Sequence, residues 1–369
     1  MRTGKKRRIV RGTVVVGTVL LVGTVSWVAT RGSHPTPGTS GGAPTGTGSA
    51  SSVPVPSSPA GGSAGVALGV YVKPDPSVGT AETTLRQFES TIDRHLAIVQ
   101  TFTGWQDRSG GMVPFPTAFA STASSLGATP MITWQPEQAV NAAQAGGLLN
   151  DQPNFSLAEL ASGQYDAYIR SWAGDAKAFG KPVYVRMMHE MNDRTYPWSI
   201  GVNGNSSAQE YITAWRHIVG IFQASGASNV EFVWCVGAQP ASPDPTVYFP
   251  GDGYVSWVAI DGYNRGKPWE SFTTIFSESY REITQVSSRP VMIAETGTVE
   301  QPGDTSAKAA WITSAFEHEI PESFPRIHAV LYFDAPGRGF SFALTSSDAA
   351  LQAFRQVAHA SGLQAAAPS

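Results

Sequence analysis

A single cysteine, Cys235, stands in 369 residues, so no disulfide can form within the chain. It falls inside an apolar run and reads as a core thiol. Residues 1–31 contain no Asp or Glu, and residues 32–65 contain no charged side chain of either sign. The seven basic residues of 1–31 are therefore unopposed. The body, 66–369, holds 18 basic against 28 acidic residues, a balance of −10. An acidic body argues against nucleic acid as a partner and suits a neutral ligand. No repeat of short period is present, which excludes a solenoid. No Gly-rich phosphate-binding turn is present, which tells against phosphate-handling barrel enzymes.

The unopposed positive charge has a context. Lys5-Lys-Arg-Arg8 precedes an uncharged run, 12–30, of 19 residues, close to the ~20 needed to cross a bilayer. Basic residues stay on the cytoplasmic side, so an uncleaved anchor exports the body and leaves it membrane-tethered. A cleaved signal peptide is the competing reading, with Val28-Ala29-Thr30 as a weak site. The lack of a nearby Cys argues against a lipoprotein. Residues 31–65 are almost all Gly, Ser, Thr, Pro and Ala, which cannot bury a core and reads as a disordered tether. Three segments follow: 1–30 signal or anchor, 31–65 linker, 66–369 a monomeric catalytic body outside the cytoplasm.

From Val66 onward, eight short apolar runs recur: 66–72, 98–105, 128–134, 183–188, 230–236, 255–263, 291–295 and 327–333. Helix-like segments lie between or after most of them, at 82–95, 165–179, 208–223, 269–286, 306–319 and 347–360. Strands alternating with helices imply a parallel sheet. Eight units in about 300 residues match an α/β (β/α)₈ TIM barrel. The long gap 136–181 predicts an elaborated loop.

Chemistry concentrates at two strand ends. Pro182-Val-Tyr-Val185 stops being hydrophobic at Arg186 and continues through His189, Glu190 and Asn192. Pro290-Val-Met-Ile-Ala294 runs into Glu295 and then Gly297. The mouth of a parallel barrel lies at the C-terminal ends of its strands, and two carboxylates there suit glycosidic bond cleavage. Alternation groups Tyr184, Arg186, Met188 and Glu190 on one face, and Val291, Ile293 and Glu295 on another. It also sets Asp261 and Tyr263 near the same mouth. Arg186 either stabilises a carboxylate nucleophile or closes an ion pair inside the barrel. Asp261 either orients a loop or touches substrate. Trp134 and Trp198, at or past strand ends, are candidates for stacking on sugar rings. A His-Glu-x-x-His zinc site needs a second His at Asp193, so no metal and no cofactor is expected.

Arg186-Met-Met-His-Glu-Met-Asn192 with Tyr196-Pro-Trp198 resembles glycoside hydrolase family 26. So do Tyr248-Phe-Pro-Gly251, Trp257-Val-Ala-Ile-Asp-Gly-Tyr-Asn264 and Glu295-Thr-Gly297. The resemblance covers about 66–345. It implies a clan A retaining (β/α)₈ enzyme with Glu190 as acid/base and Glu295 as nucleophile. It implies that His189 contacts the sugar beside the cleavage point and that Tyr263 bonds to the nucleophile. The chain departs from the pattern at Asp193 and Thr195, where the family has Gly and Trp, and at Ser256, where Asp is common. It also lacks a Trp at the end of the eighth strand. The expected activity is a retaining endo-β-glycosidase, β-1,4-mannan favoured, with β-1,3/1,4-glucan or xylan as alternatives. The competing class is a non-catalytic polysaccharide-binding barrel, which has no need of both glutamates.

Overall fold

A computed structural model describes residues 65–73, 81–139, 150–238, 244–335, 340–360 and 362–364. The expected membrane run, and the expected tether apart from Gly65, lie outside the described residues. Among the described residues no helix is long and apolar enough to cross a membrane.

All eight apolar runs are strands: β1 (Val66–Val72), β2 (Ile98–Gln106), β3 (Thr129–Gln138), β4 (Val183–Met187), β5 (Val230–Gly237), β6 (Trp257–Asn264), β7 (Val291–Thr298) and β8 (Ile327–Asp334). Each pairs in parallel with the next, and β1 pairs with both β8 and β2, which closes the barrel. A two-residue β9 (Leu363–Gln364) adds to the start of β1.

Alternation sorts the strand residues into two layers. Ala67, Ile98, Met131, Tyr184, Val233, Trp257, Met292 and Ala329, one from each barrel strand, belong to one buried cluster that fills the interior. Their neighbours Leu68, Val99, Ile132, Val185, Trp234, Val258, Ile293 and Val330 belong to a second cluster shared with the helices. Each such side chain contributes about 1.5–3 kcal/mol on burial. Both faces of a parallel sheet are covered, so its strands read as continuous apolar runs.

The expected helices are present with local stop and start signals. Asp166–Phe179 ends at Gly180 with φ 71°, a left-handed C-cap that costs glycine little. Phe272–Val286 begins where the Ser271 side chain accepts from the Thr274 N–H. That helix lies directly on β6 because Gly262 has no side chain: a Cβ there would meet Phe276 at 2.8 Å. Thr117–Ser125 is a further helix, between β2 and β3. Its Thr-Ala-Phe-Ala-Ser-Thr-Ala-Ser-Ser sequence combines weak helix formers with small side chains that leave no clear apolar stripe.

Candidate active site

Interior parity carried toward the C-terminal ends of the strands delivers a polar layer above the apolar one. Gln100 follows Ile98 on β2, Thr133 follows Met131 on β3, and Arg186 follows Tyr184 on β4. Asp261 and Tyr263 follow Trp257 and Ala259 on β6 in the same way.

The two glutamates do not arrive by alternation, which corrects the sequence-based grouping. On β7, Met292 and Ala294 face the interior, whereas Val291 and Ile293 pack toward the helices. Opposite β6, the pairing jumps from Ile260↔Ile293 to Asp261↔Glu295. Opposite β8 it jumps from Ile293↔Val330 to Thr296↔Tyr332. One extra residue in β7 forms a bulge, and bulges re-aim side chains. Here the bulge turns Glu295 into the barrel. On β4, regular structure stops at Met187, and Met188 joins the outer cluster. Met188 and Glu190 then adopt left-handed backbone, with φ of 44° and 49°. Such geometry costs roughly 1–2 kcal/mol per non-glycine residue, and neighbours hold it in place. The Glu190 N–H donates to the Cys235 carbonyl at 2.9 Å. The Tyr211 hydroxyl donates to the Met188 carbonyl at 3.0 Å. The Asn192 amide bonds the Gly237 backbone in both directions, at 2.8 and 2.9 Å.

Arg186 is the hub beneath the mouth. Nη2 donates to Glu295 Oε1, Nη1 donates to Asp261, and Nε donates to Thr133 Oγ1 at 2.9 Å. Its side chain and that of Asp261 are 0% exposed. Both are closed off from the mouth, so a direct contact of Asp261 or Arg186 with substrate is corrected: they form an ion pair inside the barrel, and the same guanidinium stands against Glu295. Gln100 completes the floor when its amide is oriented to satisfy both ends, accepting from Arg186 Nη2 at 2.8 Å and donating to the Ala294 carbonyl at 3.2 Å. The Tyr263 hydroxyl donates to the other Glu295 oxygen.

Glu190 has different company. Its Oε2 accepts from the Tyr196 hydroxyl at 3.0 Å, and it makes no ion pair among the described residues. Burial, then the nearby Glu295 charge, push its pKa up to about 7. His189 Nε2 lies 3.0 Å from the same Tyr196 oxygen. Burial and then Arg186 lower the His189 pKa well below its ordinary value, so the imidazole stays neutral. His189, Asp261 and Glu295 offer donor atoms within 4.8 Å of one another. The guanidinium of Arg186 already stands against both carboxylates.

The two candidate stacking tryptophans are corrected as well. Trp134 is 0% exposed and stacks between Trp105 and Trp172, with centroids at 4.7 and 4.6 Å. Thr133 takes the interior direction, so Trp134 must face the helices. Trp198 is also 0% exposed; it lies flat on Tyr196 at 4.7 Å and donates to the His189 carbonyl at 2.8 Å. It supports the site from behind. The aromatics at the mouth are Tyr71, stacked on Phe333 at 4.7 Å, and Phe102, edge-on to Tyr71 at 4.9 Å. Tyr71 and Phe333 continue the interior parity of β1 and β8, a signal available in the sequence. Tyr196 was visible only as part of a motif. A cavity of about 590 Å³ opens beside Tyr263, lined by Asn192, Ala238, Arg265, Lys267, Pro268 and Glu270 among others.

Residues 83–319 match the family model for glycosyl hydrolase family 26. The chain belongs to this family. Among curated relatives, it is 33% identical over 301 residues to Endoglucanase H of Acetivibrio thermocellus, covering 79% of this chain. It spans only 30% of that relative's length. It is 28% identical over 150 residues to mannan endo-1,4-beta-mannosidase A and B of Caldalkalibacillus mannanilyticus, covering 40% of this chain and 27% of the relative. The fold matches a family 26 β-mannanase from Bacteroides ovatus with a TM-score of 0.55 at 14% identity, covering 82% of this chain and 90% of that one. At that identity the likeness bears on the fold alone.

Proposed function

We propose that the chain is a retaining endo-β-glycanase in which Glu295 is the nucleophile and Glu190 the acid/base, with β-1,4-mannan the favoured substrate. The observation that carries this reading is the unequal environment of two glutamates at one barrel mouth. Glu295 accepts from a guanidinium and a phenol, which suits a group that must attack as a carboxylate. Glu190 makes no ion pair among the described residues and holds its proton up to about pH 7. In the first step Glu295 attacks the anomeric carbon while Glu190 protonates the departing glycosidic oxygen. In the second, Glu190 takes a proton from water, and that water displaces Glu295 with net retention. His189 is assigned to the sugar beside the cleavage point and Tyr263 to the nucleophile.

A β-glucan or xylan is the second reading of substrate. It is favoured by the changed walls, Asp193, Thr195 and Phe333, and by the similarity to a protein named as an endoglucanase. The purified body is to be assayed on mannan, mixed-linkage glucan, xylan and cellulose, with anomeric configuration followed by NMR. Mannan cleavage with retention is expected. Inversion overturns the mechanism, and binding without hydrolysis on every glycan replaces the enzyme with a polysaccharide-binding barrel.

The proposal extends to placement. Residues 1–30 anchor the chain in a membrane, 31–65 tether it, and the monomeric body from 66 onward acts outside the cytoplasm. The support is the basic cluster before the uncharged run and the composition of the tether. N-terminal sequencing of membrane-recovered protein decides it; a chain beginning near Arg31 or later means a cleaved signal peptide.

A further inference from the structure

Tyr196 stands between two groups whose hydrogen-bonding roles constrain one another. Its hydroxyl is 3.0 Å from Glu190 Oε2 and 3.0 Å from His189 Nε2. A phenol has one proton to donate, and a carboxylate can only accept. With Glu190 ionised, the Tyr196 proton points to Oε2. His189 must then supply Nε2–H to the phenol oxygen. His189 Nδ1 is buried without a hydrogen-bond partner among the described residues, a poor place for a second N–H. The geometry is locked from behind. Trp198 stacks flat on Tyr196 and bonds the His189 carbonyl, so one indole fixes both partners. Burial and then the Glu190 charge raise the Tyr196 pKa well above its ordinary value, so the phenol keeps its proton.

The geometry points to Tyr196 as a positioning residue for Glu190: oriented by His189, its hydroxyl occupies Oε2 and leaves Oε1 as the oxygen that gives and takes the catalytic proton. This rests on the assignment of Glu190 as acid/base. In the first step the Oε1 proton moves to the glycosidic oxygen, which keeps the electron pair of the breaking bond. In the second, a water proton moves to Oε1 as the water oxygen bonds the anomeric carbon and Glu295 departs. Tyr196 transfers no proton in either step. The other charged groups acting on Glu190 are Glu295 from β7, Arg186 from β4, Asp261 from β6 and Asp193 from its own loop.

Tyr196→Phe keeps the ring on Trp198 and deletes the hydroxyl. The lost donor stabilised the carboxylate form, so the alkaline limb of kcat/KM is expected to move to higher pH. On an activated aryl glycoside, where the second step is slow, kcat falls about tenfold, KM falls with it, and kcat/KM is nearly unchanged. In wild type without substrate, nitrogen NMR is expected to find His189 as the Nε2–H tautomer on both sides of the Glu190 titration. An unmoved limb overturns the proposal, as does an Nδ1–H tautomer. Equal losses on activated and unactivated substrates, with the limb fixed, assign Tyr196 a merely structural role. The tautomer is read without turnover, so this outcome is separate from a failure of the glycanase reading.

Discussion

Glu295 and Glu190 face the same mouth from β7 and from the loop after β4, yet their surroundings are opposite. Glu295 accepts from Arg186 and Tyr263. Glu190 accepts from the Tyr196 phenol and lies near two further carboxyls, Glu295 and Asp193. The difference follows from charge counting. One buried guanidinium is shared by Asp261 and Glu295. A third carboxylate in the same low-dielectric space makes no ion pair among the described residues, so burial and the Glu295 charge favour its protonated form up to about pH 7. The chemistry of a retaining pair requires the same division of labour, one carboxylate ionised and one protonated.

The largest expected effect comes from removing either partner. Glu295→Ala is expected to lower turnover by orders of magnitude on every β-glycan, because no glycosyl-enzyme can form. Glu190→Ala is expected to be as severe on polysaccharide but mild on an activated aryl glycoside, with azide restoring rate at retained configuration. Swapped behaviour reverses the assignment.

Removing the shared cation comes next. Arg186→Met leaves two buried carboxylates uncompensated, so a loss of about 3–5 kcal/mol in unfolding free energy is expected, read by denaturant titration, along with activity. Unchanged stability dismantles the charge-counting argument.

The pH profile sharpens the comparison without mutation. Glu190 is raised from its ordinary range to about 7, so the protonated, competent form persists up to that pH and is lost above it. The kcat/KM on polysaccharide is therefore expected to decline as pH rises through about 7. In Glu295→Gln the repulsion disappears, and carbon NMR is expected to show Glu190 titrating lower. A Glu190 titration that does not shift removes Glu295 as a cause.

The smallest effect separates mouth from core. Trp134→Phe is expected to lower Tm, since the indole fills the space between Trp105 and Trp172, yet leave KM for mannan oligosaccharides unchanged. A large rise in KM would return Trp134 to the sugar site.

Much of this architecture is legible in residue order. Eight apolar runs spaced for helices between them specify a parallel barrel, because a sheet covered on both faces shows itself as unbroken hydrophobicity. Glu190 and Glu295 come to one mouth, but not by the alternation expected of them. Strict alternation leaves Glu295 on the outer face with Ile293, and only the bulge seen against β6 and β8 turns it inward. A bulge is defined by pairing with neighbouring strands, so no single strand's sequence contains it. Trp134 is corrected for a related reason: the order of residues in β3 does not say which of its two faces meets the axis.

By itself, then, the sequence determined the order of elements, the chemical groups at the strand ends and the sign of the charge on the body, since these depend on local pattern and composition. Tertiary structure alone decided which carboxylate shares Arg186, which aromatics reach the mouth, and that Tyr196 joins His189 to Glu190. Those outcomes depend on contacts between distant strands and on a loop folded back in left-handed conformation, where the energy of burying a charge is set by its neighbours in space.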